Sequence, residues 1–297
     1  MLQFLIDTLL RATDLALIAF GLSLVYGLVK FPNIAHVQYA MLGAYLAYGL
    51  DAAGVPLPLA LLFAALLVGA LTLALQRLVF ERLLKSGPAI AMIGSLAIAM
   101  LLVAALQASA GTFPRMFELP LKAPILLGDA RITHTQLYFF ATTLVLLAAF
   151  TVALFHTRLG RAMRALAGNP ALANASGLPA ARITLTVTFA SGAIAGLGGG
   201  LLALSTGAHI NLGHDLLLPV FAAAILGGLG NPMGAVAGAL LIAFTETLVT
   251  NLNVGWLMGR EMAFLPVSYI SGAAFLILLL ALLFKPYGLF DREVRRV

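Results

Sequence analysis

Residues 158–182 read RLGRAMRALAGNPALANASGLPAAR, a polar stretch set between apolar runs at 137–155 and 183–206. In a chain with only 9% charged residues it gathers Arg158, Arg161, Arg164 and Arg182, an Asn169-Pro170 break and many small side chains. A segment of this kind belongs outside lipid. The runs on either side, continuous and almost free of charge, belong inside it, and the rest of the chain repeats this division.

The composition agrees: 62% of the 297 residues are hydrophobic and the mean hydropathy is +1.06. Apolar runs repeatedly reach or approach the roughly 20 residues that cross a ~30 Å hydrocarbon core. Lipid offers no water to unpaired backbone groups, and the runs are continuous rather than alternating, so an all-α helical bundle is expected over a barrel. Nine runs can be drawn: 15–29, 34–50, 57–79, 89–107, 137–155, 183–206, 216–229, 235–250 and 264–284. The expectation is one transmembrane domain over 1–297, with about eight or nine membrane helices and a cytoplasmic loop at 157–182. The first stretch carries Asp7, Arg11 and Asp14 without a basic start or a small-residue cleavage site, and is read as retained. There are no cysteines, hence no disulfides or thiolate chemistry.

Orientation follows from the cytoplasmic excess of Lys and Arg. With the C-terminus inside and the N-terminus outside, inner segments hold 12 of the 17 basic residues. The outer ones keep Arg11, Arg115, Lys122, Arg131 and Arg260. The net charge of +6 is therefore mainly a topology signal, with anionic inner-leaflet lipid as counter-charge and no nucleic acid implied.

Two pairs of runs are short. The first pair flanks Lys30-Phe31-Pro32-Asn33 and the second flanks Gly230-Asn231-Pro232. The 14 residues from Leu216 cover only about 21 Å at 1.5 Å each. Broken or re-entrant helices are expected at both places, where transporters expose backbone to substrate.

Chemistry is hard to find. No phosphate-binding Gly-Lys-Ser/Thr loop occurs, and neither Gly-x-Ser-x-Gly nor His-Glu-x-x-His is present, so no enzyme and no cofactor are expected. The intramembrane ionisable candidates are Asp14, His36, His156 and Glu246. Glu246, inside LLIAFTETLVT, must face the bundle interior, either as a buried hydrogen-bond partner or on a pathway. His36 follows the Pro32-Asn33 break and can cap exposed backbone or line a cavity. His209 and His214 on an outer loop read as solvated, not as a metal site. Trp256 and Tyr269 read as interface anchors. Glycines spaced by four at 192, 196 and 200, and again at 230, 234 and 238, predict close helix packing, inside the bundle or between subunits.

The polar loop has its own design. Arg158, Arg161 and Arg164 step by three and would share one side of a helix extending the preceding membrane helix. Gly168-Asn169-Pro170 then interrupts it. Asn169 can cap a new short helix with Pro170 at its first position, and Gly177 can close it. Such an element is either a basic interfacial loop or a docking peg.

These motifs, in their order, resemble the permease of ABC importers for branched-chain and other hydrophobic amino acids, the LIV-I type with its LivH-like subunit. The resemblance spans nearly the whole chain. It rests on GLSLVYGLVKFPNIAH followed by MLGAY, on GRAMRALAGNPALANASGL, on FAAAILGGLGNPMGAVAGALL and on LLLALLFKPYGLF. It implies an inner-membrane permease that pairs with a second homologous permease, sits on two ATPase subunits and receives cargo from a periplasmic binding protein. Arg161, Arg164, Asn169, Pro170, Ala171 and Gly177 fall in the family's ATPase-coupling segment. Asn33, Ala35 and His36 match its Asn-Phe-Ala-His block, with Ile34 in place of Phe. Glu246 matches a Glu of the corresponding late helix, and Asn33, His36 and Glu246 are expected to border the translocation path. Pro219 stands in the neighbourhood where many relatives carry Lys. Relatives also serve urea, short amides and aromatic acids, and a stand-alone carrier or channel would share the broken helices and Glu246.

Overall fold

A computed structural model of the chain describes residues 1–120, 122–252, 269–285 and 288–290. It is a helical bundle, with one small hairpin as its only ladder of strands among the described residues. Among the described residues six helices are long and apolar enough to cross a membrane: α1 Leu2–Val29, α3 Leu57–Leu84, α4 Pro88–Ala110, α5 His134–His156, α8 Ala180–Thr206 and α10 Pro232–Asn251. Helix α2, His36–Ala52, has 17 residues, α9, Leu212–Leu226, has 15, and α11, Tyr269–Phe284, has 16. Two surface helices, α6 Arg158–Gly168 and α7 Pro170–Ala175, interrupt the series. The expected anchor Trp256 lies outside the described residues, as do Arg260 and the terminal arginines.

The first helix departs from expectation. It starts at Leu2, not Leu15, so its 28 residues are ample for a crossing and the first pair of runs is not a pair of short helices. Asp7, Arg11 and Asp14 lie within it, which removes Arg11 from the outer loops. The helix ends on Lys30, whose φ of +57° is the left-handed conformation of a C-cap, its N–H reaching the Tyr26 carbonyl.

The expected break at Lys30-Phe31-Pro32-Asn33 is present as a non-helical climb that runs on to Ala35, with Phe31, Asn33 and Ala35 buried. Phe31 packs on Phe80 with ring centroids 5.5 Å apart, inside a cluster completed by Ala91. Ile34 N–H donates to Ser95 Oγ at 2.9 Å, and α2 begins one residue after Ala35. Ser95 lies seven residues into α4, about 10 Å along its axis, so α2 starts well inside the bundle rather than at its end.

The core is built on α8, which packs against α1, α2 and α3. Its glycine stripe faces inward. A Cβ on Gly196 would press on Val68, one on Gly192 on Thr72, and one on Gly43 of α2 would overlap the Gly196 backbone. The second stripe is also internal, with Gly234 against Gly227 and Gly238 against Ala223. Only small residues allow such approach, and in lipid this packing replaces the missing hydrophobic drive between helices. Polar stitches reinforce it: Thr72 Oγ1 lies 3.2 Å from the Thr188 carbonyl, and Ser191 Oγ donates to Gly21 O at 2.7 Å.

Two features were not foreseen. Ile125–Leu127 and Ala130–Ile132 pair as an antiparallel hairpin turned by Gly128 and Asp129, Gly128 having φ +62°. Gln76–Phe80 forms a π-turn within α3 where Phe80 swings in to meet Phe31.

Candidate functional site

At one end of the bundle stand Lys30, the α3–α4 turn with Lys85, the whole of α6 and α7, and the Gly227–Asn231 turn. The junction entering α6 differs from the expected extension of α5. Thr157 takes an extended conformation (φ −91°, ψ 161°) and ends α5. Its Oγ1 accepts the Gly160 N–H at 3.1 Å, which caps a new helix, α6. The chain doubles back so tightly that a Cβ on Gly160 would overlap the Leu154 carbonyl.

The stepped arginines secure this fold-back. Arg164 donates to the Leu154 carbonyl and its guanidinium lies over the Phe155 ring, 5.1 Å from the centroid. Arg161 Nη1 reaches the His156 carbonyl at 3.4 Å. Both cations thus meet the last turn of α5, where unpaired carbonyls and the helix dipole favour positive charge. On the other face of α6, Gly160, Met163 and Leu166 are buried. Between α6, Gly27 of α1 and the Gly230–Met233 segment lies a cavity of about 420 Å³.

Helix α7 forms as its residues dictate. Asn169 Oδ1 accepts from Leu172 N–H at 3.0 Å and Pro170 fills the first position. Gly177, at φ +77°, closes the other end, with its N–H on Asn174 O and Leu178 N–H on Ala173 O. That double bond is the Schellman arrangement. Pro170, Ala171 and Leu172 are exposed, Leu172 by 63%. Of the six residues expected to act together, Arg161 and Arg164 lie on α6, whereas Asn169, Pro170, Ala171 and Gly177 lie on or at the ends of the adjoining α7.

The other three are not brought to one place. Asn33 and His36 share the start of α2: Asn33 Oδ1 accepts from Ala35 N–H at 3.1 Å and Asn33 O from His36 N–H at 3.1 Å. His36 Nε2 lies 3.2 Å from the Ile18 carbonyl, so the proton on this contact belongs to Nε2. Glu246 of α10 instead meets α1 seven residues nearer its start, about 10 Å away along the axis. There its Oε2 accepts from Arg11 Nε at 2.6 Å, and Arg11 Nη1 stands 3.6 Å from Asp14 Oδ2. The exposed fractions are 8% for Asn33, 1% for His36 and 2% for Glu246.

Arg11 is the functional-site candidate that sequence reasoning missed, and a signal existed. A carboxylate inside an apolar helix needs a cation, and an Arg one turn from Asp14 and Asp7 in an otherwise apolar run offers one. Assigning Arg11 to a loop hid the match.

A bundle with helices long and apolar enough to cross a membrane, apolar side chains on its outside, polar side chains that knit helices together and basic helices at one end defines a polytopic membrane protein. The model of the family described as branched-chain amino acid transport system / permease component matches residues 4–285, and the chain belongs to that family. It is thus a permease subunit of an ABC importer, a transport protein and not a catalyst, with its helices in the inner membrane. It is 30% identical to the high-affinity branched-chain amino acid transport system permease protein BraD of Pseudomonas aeruginosa, over 100% of this chain and 98% of that protein. It is 29% identical to the corresponding LivH of Escherichia coli over 100% and 97%. The same identity, over 93% and 88%, holds for a probable LivH of Methanocaldococcus jannaschii.

Proposed function

We propose that residues 157–182 receive the force of ATP hydrolysis from two cytoplasmic ATPase subunits, and that the chain, paired with a second homologous permease, passes amino acids delivered by a periplasmic binding protein. The cargo class is branched-chain or other hydrophobic amino acids, in keeping with the names of the relatives. The termini lie N-out and C-in, and the short helices α2, α9 and α11 join the six long ones to supply the eight or nine membrane segments.

One observation carries the coupling role. Helix α7 is capped at both ends by side chains and backbone of its own, yet leaves Pro170, Ala171 and Leu172 facing out. A six-residue helix gains little from helix formation itself, and an exposed Leu beside Pro and Ala suits a partner's apolar groove. Helix α6, anchored by Arg161 and Arg164 to α5 and facing the cavity beside Gly27 and Gly230, supplies the lever into the bundle. Rigid-body movement of this lever is a recognised form of switching. Asn33, His36 and Glu246 stand on the proposed path walls, the first two where α2 breaks and the third on α10.

Co-purification from native membranes tests the reading. The wild-type chain should bring down ATPase subunits, and replacement of Asn169-Pro170-Ala171 by Gly-Ser-Gly should lose them at unchanged permease abundance. A wild-type chain that purifies without any ATPase, and supports uptake driven by an ion gradient, sinks the proposal in favour of a carrier.

A further inference from the structure

At the end of the bundle away from α6 and α7, a cleft of about 290 Å³ opens between α1 and α10, lined by Asp7, Arg11, Glu246, Thr250 and Asn251 among others. Its size is near the lower limit of small-molecule sites, ~300 Å³. Glu246 is 2% exposed, and while its Oε2 holds Arg11, its Oε1 is buried without a hydrogen-bond partner among the described residues. Asp7 lends Oδ1 to Gln3 Nε2 at 2.7 Å. Asp14, 3.6 Å from Arg11, adds a third carboxylate to the one guanidinium.

We infer that this cleft binds a primary ammonium group, that of the amino acid cargo. An inward-facing carboxylate oxygen without a donor is costly in a low-dielectric setting. Among the described residues, the acids Asp7, Asp14 and Glu246 stand around a single cation, Arg11. An ammonium supplies a compact cation with three donors, matching Glu246 Oε1, Asp7 and the neighbouring hydroxyl of Thr250. Arg11, already between two acids, is placed to meet the carboxylate of the same zwitterion once the cleft is filled. The inference rests on the reading of the chain as an amino acid path and adds to it the group that is recognised.

The test uses the importer assembled with its partner subunits in lipid nanodiscs, without binding protein, and saturation-transfer NMR with three probes. L-leucine carries both charged groups, 3-methylbutylamine only the ammonium and 4-methylpentanoate only the carboxylate. The expected order is binding of the two amines, with the acid at least tenfold weaker. Glu246→Gln should weaken both amines about tenfold, and Asp7→Asn, in a less buried position, about threefold. Equal binding of all three probes, or amine binding unchanged in both variants, overturns the inference. If Glu246→Gln does not assemble, an unchanged Asp7→Asn does so alone. Loss of the amine signals on replacing choline chloride with sodium chloride assigns the cleft to a metal cation and also overturns it. Uptake into proteoliposomes separates the two levels. A wild-type importer that moves leucine while the probes fail loses only the site. One that moves no branched-chain amino acid loses the path reading as well.

Discussion

The chain turns the same Gly-Asn-Pro corner twice, at 168–170 and at 230–232, and the two corners have opposite surroundings. Each Asn is extended, and each accepts from the N–H three residues on, at 3.0 Å in Asn169 and 3.1 Å in Asn231. Each Pro takes the first helical position. Around Asn169 the neighbours are thin, and nothing lies within 4 Å of where a Gly168 Cβ would point. Around Asn231, Gly230 abuts Gly27, Gly230 N–H reaches Ser23 Oγ at 3.2 Å, and Asn231 Nδ2 reaches the Phe290 carbonyl at 3.4 Å. One local grammar thus serves a free-standing peg and a clamped joint. The difference lies in the residues that meet each corner, and so it should show in how each responds to the same chemical change.

The largest effect belongs to the clamped joint. Gly234→Ala would drive a methyl into the Gly227 backbone, which cannot rotate away as a side chain would. Overpacking against backbone costs about 3 kcal/mol at the upper end of such substitutions. The expectation is a clearly lowered melting temperature in detergent and reduced yield of monodisperse protein. A melting temperature within 2 °C of wild type would mean the α9–α10 joint is looser than its contacts state.

Removing the caps compares the corners directly. Asn231→Ala loses its cap and the tie to Phe290, about 1–2 kcal/mol, and because the joint is packed on α1 the loss should lower global stability. Asn169→Ala loses a cap of similar worth, about 1 kcal/mol, but from a six-residue helix in which only Ala173 is buried. Its loss should appear as faster amide exchange over 171–178 with the global melting temperature unmoved. Equal global shifts from both would erase the distinction between peg and joint.

How far the sequence reveals this arrangement depends on the range of the interaction concerned. Helix α7 was legible to the residue because Asn169, Pro170 and Gly177 act within a few positions of one another. The membrane class was legible because it needs only the sum of apolar runs, and the described residues do hold six helices able to cross. The separation of α6 from α5 was not legible, since Thr157 is both a poor break signal and a good cap, and the turn depends on Gly160 fitting under Leu154. Nor was the true start of α1: charges at Asp7, Arg11 and Asp14 look like a loop until Glu246, 235 residues later, is placed beside Arg11. The role of His36 at the Ile18 carbonyl also depends on how far the chain climbs after Pro32, a quantity that no local pattern carries.

The smallest expected effect is the sharpest test of the peg. Gly168 ends α6 in a helical conformation without positive φ, and open space surrounds the position of its missing side chain. Ala favours helix over Gly by about 0.5–1 kcal/mol in an interior and by less at an end. Gly168→Ala should therefore slow amide exchange in the last turn of α6 and leave the melting temperature within about 1 °C, since a local gain of this size is confined to a segment that opens on its own. The same substitution at Gly230, which has φ +93° and Gly27 beside it, should destabilise instead. Opposite signs for one methyl at the two glycines would show that each corner sets its own backbone conformation and neighbours despite the shared sequence, and faster exchange in Gly168→Ala would show that the peg is packed against something its exposed surface does not reveal.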